Sequence, residues 1–141
     1  MISFVEACLE EQWNKVCAEE WNIGVLARHI YAGYYSGAAD MAKMIVDGEK
    51  VPEPTMDQIV EMANTHAREH ADCSRAEVLD LLNSNGAAFA DYLAGLSDVE
   101  LDRSAHMELV GGEVSAQQLV DMVILDSGGE HLANIKKVLA S

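Results

Sequence analysis

Two histidines stand near opposite ends of this 141-residue chain, His29 in Trp21-Asn-Ile-Gly-Val-Leu-Ala-Arg-His29 and His131 in Asp126-Ser-Gly-Gly-Glu-His131-Leu-Ala-Asn-Ile135. Each lies inside an apolar stretch with helical spacing, where an imidazole must find a hydrogen-bond partner or a ligand. A fold that faces the two helices together puts both rings in one pocket, and neutral imidazole is the commonest protein ligand of transition metals. Two imidazoles alone make a weak site, so the chemistry turns on a third donor. The plain alternative is a pair of core imidazoles satisfied by a carboxylate, carbonyl or hydroxyl.

The face of His29 carries Val25, Leu26, Ala32, Gly33 and Ser36, three and four residues away, and is apolar and narrow. His131 shares its face with Ile124, Ser127, Ile135 and Val138, and Gly128 and Gly129 fall in the same turn. Each glycine inside a helix costs roughly 1 kcal/mol relative to alanine, so the helix is locally irregular there or another group approaches closely. A second constellation, His66-Ala-Arg-Glu69-His70, matches the inverted zinc-protease string His-x-x-Glu-His. It lies in a connecting segment with neither a third ligand from a distant helix nor a peptide cleft, and reads as an exposed His/Glu face that binds metal only adventitiously. Ser127 and His131 are neighbours as a nucleophile and base would be. Asp126 and Glu130, however, point about 100–140° away at the helical 100° per residue, so no acid orients the base. His106, beside Met107 in a turn region, reads as solvated.

These residues need helices to position them, and the helix starts are legible. Four of them are marked by a Ser or Thr followed three residues later by Glu or Gln, a pattern that satisfies two orphan amides reciprocally. Ser3-Phe-Val-Glu6 opens a helix to about Ala18, Thr55-Met-Asp-Gln58 a shorter one from Met56 to about His70, Ser74-Arg-Ala-Glu77 a third to about Leu96, and Ser115-Ala-Gln-Gln118 the last, to the C-terminus. Asn22 caps a further helix from Ile23 to about Asp47, ended by Gly48 with Pro52 and Pro54 beyond. Apolar residues recur at helical spacing, as in Val5, Cys8, Leu9, Trp13 and Val16, and in Val78, Leu82, Phe89, Leu93 and Leu96. Nothing alternates as a strand does; Leu96 to Asp102 and Val110-Gly-Gly-Glu113 read as turns around a small irregular segment, the paired glycines supplying positive φ. The expected fold is an all-α single domain over residues 1–141, a four-helix bundle with a long helix-containing crossover between the second and third long helices.

Composition narrows the function. Twenty-four Asp and Glu against nine Lys and Arg give a formal charge of −15 with no basic stripe, which argues against a nucleic-acid partner. No run approaches the roughly 18 apolar residues of a membrane span, and Met1-Ile-Ser-Phe-Val-Glu lacks the basic start of a signal peptide, so a soluble cytoplasmic protein without a membrane partner is expected. A chain of this length needs no metal staple to fold. Cys8, Cys17 and Cys73 form no Cys-x-x-Cys or framework spacing. Cys8 reads as a small buried hydrophobe, and Cys17 and Cys73 lie near helix ends with nothing beyond position to mark them as reactive.

Taken in order, Trp21-x7-His29, His70-Ala-Asp-Cys-Ser-Arg-Ala-Glu-Val-Leu79, Gly95-Leu-Ser-Asp-Val-Glu-Leu-Asp102, and Gly111-Gly-Glu-Val-Ser-Ala-Gln-Gln-Leu-Val120 running on to Gly129-Glu-His131-Leu-Ala-Asn-Ile resemble the DinB-like superfamily. These four-helix bundles include the YfiT-type proteins and the N-terminal domain of mycothiol-dependent maleylpyruvate isomerases, and the resemblance runs from about Trp21 to Lys137. It implies a divalent ion, nickel, zinc or manganese, held by one histidine of the second helix and two histidines four apart on the last. By position His29 is the first of these and His131 the third, but the second position is Ser127, whose neutral hydroxyl binds such an ion far more weakly than imidazole. Three states follow: no metal; metal held weakly by His29, His131 and water; or recruitment of Asp126 as an oxygen ligand if the Gly128-Gly129 pair distorts the helix.

With metal bound, the resemblance implies a low-molecular-weight-thiol-dependent transferase or isomerase. Without it, a hydrophobic pocket with two histidines and a serine suits a small-molecule or thiol ligand in a non-enzymatic, dimerising stress-type protein. A homodimer is expected from the resemblance and from Tyr31, Tyr34 and Tyr35 as an exposed aromatic supply.

Overall fold

The computed structural model describes residues 1–17 and 21–141. The described residues are mostly helical, with one small antiparallel hairpin. In chain order they form α1 (Ile2–Ala7), α2 (Glu10–Trp13), α3 (Ile23–Ile30), a π-helical stretch (Tyr31–Ala38), α4 (Ala39–Asp47), α5 (Met56–Glu69), α6 (Arg75–Ala94) and α7 (Asp98–Leu101). There follow β1 (Ser104–Met107), β2 (Gly112–Ser115), α8 (Ala116–Leu119), a second π-helical stretch (Val120–Ser127) and α9 (Gly128–Ala140).

The first expected helix is two short ones. Cys8 leaves the helical region at φ −70° and ψ 126°, its carbonyl is taken by the Arg75 guanidinium, and the Leu9 amide restarts the helix by donating to Gln12 Oε1 at 2.8 Å. Ser3 makes no cap; Met1 stands at the start without a side-chain bond. The interruption throws Leu9 and Val16 out of the apolar stripe into solvent, at 55% and 63% exposure. Val16 then pairs with Asn22 in an isolated bridge, and the expected end at Ala18 lies outside the described residues.

The other starts form as the side-chain chemistry requires. Thr55 with Gln58 and Ser115 with Gln118 close reciprocal caps. Ser74 Oγ accepts from the Glu77 amide at 3.1 Å, but the Glu77 carboxylate turns to Arg28 instead of closing the box. Asn22 Oδ1 accepts from the Val25 amide at 2.8 Å, and α4 ends on Gly48 in the left-handed region at φ +71°. A further box, Ser97 with Glu100, opens α7 in a segment expected as a turn. The irregular segment after it is also more ordered than expected: β1 and β2 pair from Ser104 with Ser115 to Met107 with Gly112, around a turn whose positive φ is supplied by Gly111 alone.

α3, the first π-helical stretch and α4 run on through helical dihedral angles at Tyr31, Ala38 and Ala39, so Ile23 to Asp47 is one long helix with a widened middle. The second stretch likewise widens the helix from Ala116 to Ala140. The two widened segments pack on each other. Where the amide ladder is i to i+5 rather than i to i+4, side chains lose the strict phase of an α-helix.

The core falls into two clusters. One gathers Val5, Cys8, Trp13, Ile23, Leu26, Ile30, Tyr31, Val78, Leu82 and Ile135; the other gathers Ala38, Ala39, Ala42, Ile45, Phe89, Met107, Val114, Leu119 and Ile124. Tyr35 packs against both. No described helix is long and apolar enough to cross a membrane.

Candidate histidine site

His29, on α3, and His131, on α9, do converge: their ring centroids are 5.7 Å apart, nearly perpendicular at 88°. Both are half-buried. The Trp21 ring lies edge-on to His29 at 5.4 Å, and the Tyr34 ring lies 6.1 Å from His29 and 5.5 Å from His131. Tyr34 Oη and His131 Nε2 share a hydrogen bond of 2.9 Å. Gly128 packs against the Tyr34 ring, where a Cβ would meet Tyr34 Cγ at 3.4 Å, an ordinary contact distance. Of the two readings of the glycine pair, the irregularity lies just before it, in the widened stretch that ends at Ser127, while Gly128 itself is regular helix and around Gly129 the space is open.

The string at residues 66–70 is not an exposed face. α5 packs on α3, Ala67 is buried, and His66 is half-buried with its ring centroid 6.2 Å from that of His29. Glu69 is exposed, as expected, and His70 lies against His66 at 4.7 Å. One side chain explains how His66 is held. Arg28 donates from Nε to Glu77 Oε1 at 2.8 Å and bonds His66 Nε2 through Nη1 at 2.9 Å. Since a guanidinium only donates, Nε2 must carry the lone pair and Nδ1 the hydrogen. Yet Nδ1 is buried and finds no partner among the described residues. Burial first, then the positive charge of Arg28, lower the pKa of His66 to about 4, so the ring is neutral at pH 7. The Arg28 hydrogen bond likewise holds the Glu77 carboxyl below its ordinary range.

The expected third-ligand positions are otherwise engaged or exposed. Ser127, inside the widened segment, donates its hydroxyl to the Met122 carbonyl five residues back at 3.3 Å, and Asp126 is exposed. Two imidazoles at tetrahedral or cis positions on one ion, with metal–nitrogen bonds of about 2.0–2.1 Å, place their ring centroids roughly 4.5–5.5 Å apart. The His29–His131 pair, at 5.7 Å, is slightly wider than that spacing, and His66, at 6.2 Å from His29, lies well beyond it. Among the described residues no group of three or more His, Cys, Asp or Glu side chains is set to hold a metal ion. The donor set therefore approaches a pair on one ion, not a triad, and its 5.7 Å, 88° arrangement is also that of an edge-to-face ring contact.

Two further expectations change. Tyr31, Tyr34 and Tyr35 are not an exposed aromatic supply: Tyr31 is 7% exposed with its hydroxyl bonded to Asn85, Tyr34 belongs to the ring cluster, and Tyr35 is packed between the cores. Cys73 is buried beside Trp13, whose Nε1 donates to its carbonyl at 2.9 Å, and burial raises its thiol to about 11, leaving it protonated and inert. Cys8 is buried, as its position on the apolar stripe suggests, and His106 is exposed with Glu108 Oε1 3.4 Å away.

Sequence reasoning missed His66, Arg28 and Tyr34 as members of the site. The histidine string was visible, and the inward spacing of Ile59, Ala63, His66, Ala67 and His70 on one face of α5 was the signal for its burial. Nothing in the sequence ties Arg28 to residues 38 and 49 positions away.

The sequence profile of the DinB superfamily matches residues 1–128. The match takes in His29, His66 and Ser127 and stops three residues short of His131. No curated protein and no solved structure matches the chain.

Proposed function

The chain belongs to the DinB superfamily, and from that premise we propose that it is a variant four-helix bundle in which His29 and His131 hold a divalent metal ion weakly, water completing the shell, in the service of low-molecular-weight-thiol-dependent transfer or isomerisation. The observation that carries this reading is the 5.7 Å separation of the two rings, delivered by helices more than a hundred residues apart in sequence. A bound ion would supply Lewis acidity, lowering the pKa of a thiol at the site.

The chain's own residues prepare that role. With Nε2–H of His131 donating to Tyr34 Oη, its Nδ1 keeps the lone pair, the arrangement in which a second partner fixes the tautomer of a ligand. The Trp21 and Tyr34 rings pack against the imidazoles and give the site apolar walls. The nickel-incubated, tag-free protein, titrated with a small thiol, should develop a thiolate-to-metal absorption band, and His29→Ala and His131→Ala should each abolish it. A band that survives both substitutions, or no band in the wild type, overturns the reading.

A second reading is favoured by the Tyr34–His131 bond and the engaged Ser127 hydroxyl, which already satisfy polar atoms that a metal centre would use. In it the protein binds a small molecule without metal and acts as a homodimer. Its surface would have to differ from the tyrosines; Met122 and Leu125, 43% and 58% exposed on the widened part of the last long helix, are available. Sedimentation as a monomer at micromolar concentration removes the dimer.

A further inference from the structure

We propose that α5 is a lid over the His29 side of the ring cluster, anchored at Val51 and Cys73 and latched by the bond between Arg28 and His66. This rests on the reading of that cluster as a ligand site and deepens it by naming the element that opens the site.

The chain around α5 is held at its two ends and hardly at all between them. Val51 and Cys73 are buried, but over residues 52–72 the only buried side chain is Ala67. By contrast α3, on which α5 packs, buries six of its eight residues. Met56, Val60 and Met62 already face solvent, each more than half exposed, so lifting α5 uncovers little beyond Ile59, Ala63 and Ala67. The cost of local opening grows with the apolar area it uncovers, and α5 therefore belongs to the low-stability end of the fold. At its C-terminal hinge, the turn from His70 to Cys73 borders an open groove of 210 Å³ lined by His70, Asp72 and Glu77, which leaves room for the turn to move.

The polar groups at the latch are balanced in the same sense. Arg28 donates from Nη1 to His66 Nε2 on α5 and from Nε to Glu77 Oε1 on α6, so one guanidinium ties the lid to the body of the bundle. With Nε2 accepting, Nδ1 carries the hydrogen and is buried without a partner among the described residues. Closed, the lid leaves that hydrogen unbonded; open, water bonds it. One bond latches the lid and one unmade bond penalises the closed state, so α5 lifts without unfolding the bundle. The His66 ring stands 6.2 Å from that of His29, and its departure gives a small thiol or other ligand a path to His29.

Hydrogen exchange read by mass spectrometry on the full chain tests this. A detached helix of fourteen residues is marginal in water, so its amides exchange when the lid lifts. In the wild type, residues 56–69 should exchange at least about tenfold faster than the interior of α3. Arg28→Met should speed them about tenfold further, the scale of one lost charge-assisted bond, and leave α4 unchanged. Arg28→Lys serves if Arg28→Met fails to fold. Diethyl pyrocarbonate should acylate His29 faster in the variant, with the exposed His106 as an unchanged reference. Exchange of α5 as slow as that of α3 in the wild type overturns the proposal without any variant, and so does a substitution at Arg28 that speeds α4 and α5 alike. If α5 opens and the wild type does not bind Ni²⁺, the lid stands over a metal-free pocket and the two-histidine reading falls. If Ni²⁺ binds and α5 stays closed, the lid falls and that reading stands.

Discussion

The core cluster around Trp13 and Ile30 carries rings and polar nitrogens at its margin, whereas the cluster around Leu119 and Ile45 is closed by alanines, aliphatics and a two-stranded hairpin. In the second, Ala38, Ala39 and Ala42 let α4 approach α8 closely, and Arg103 ties the start of the hairpin to the Val46 carbonyl at the end of α4. Its unpartnered polar atom, Tyr92 Oη, stacks with Phe89 under the Lys43 ammonium and has no imidazole near it among the described residues. In the first, Trp21, His29, Tyr34, His66 and His131 meet, and one of their nitrogens is buried without a partner. Each half leaves one buried polar atom without a partner, so the difference lies in what surrounds it: aliphatic and aromatic carbon in the one, clustered imidazoles in the other, which is where ligand chemistry belongs.

Substitutions should separate the halves. Trp13→Ala removes a ring that is 2% exposed together with its bond to the Cys73 carbonyl, and should cost about 3–5 kcal/mol in denaturant unfolding. Histidine ring shifts should move with it, because Trp13 belongs to the cluster that borders the site. Leu119→Ala should cost about 2–5 kcal/mol and leave those shifts and any Ni²⁺ affinity unchanged. Altered affinity in Leu119→Ala would abolish the distinction between the halves. Tyr34→Phe keeps the ring against Gly128 and deletes one hydrogen bond; a loss of roughly 1 kcal/mol with a selective change at His131 is expected.

The subtlest contrast is with pH. The His66 pKa is lowered in the folded protein, to about 4 from 6.5, so the unfolded chain takes up the proton first. The stability due to neutral His66 is fully present above pH 6.5, is lost progressively as pH falls to about 4, and changes no further below that. Melting temperatures of wild type and His66→Gln should converge over that window; a difference independent of pH would show that His66 is not held neutral.

Part of this was legible in the sequence because it is local. The caps at Asn22, Thr55, Ser74 and Ser115 need only a side chain and an amide three residues away, and they place the long helices correctly. The convergence of His29 and His131 followed from two helical faces. The rest depends on contacts distant in sequence or on backbone phase. Ser3 loses its cap because Arg75, far along the chain, captures the Cys8 carbonyl and resets the first helix. Ser127 shares a face with His131 on an ideal wheel, but the widened segment before Gly128 turns its hydroxyl to the Met122 carbonyl. The hairpin was missed because each strand is only four residues long, too short for alternation to show. His66 was discounted because a short motif in a crossover says nothing of what the crossover packs against.

The central claim is that His29 and His131 form a metal-binding pair, and it is tested most directly by Ni²⁺ calorimetry on tag-free wild type beside His131→Ala. One ion per chain in the wild type, with affinity lost in His131→Ala while the helical signal and melting transition persist, is the predicted result. No binding by the wild type, or equal binding by His131→Ala, would contradict it.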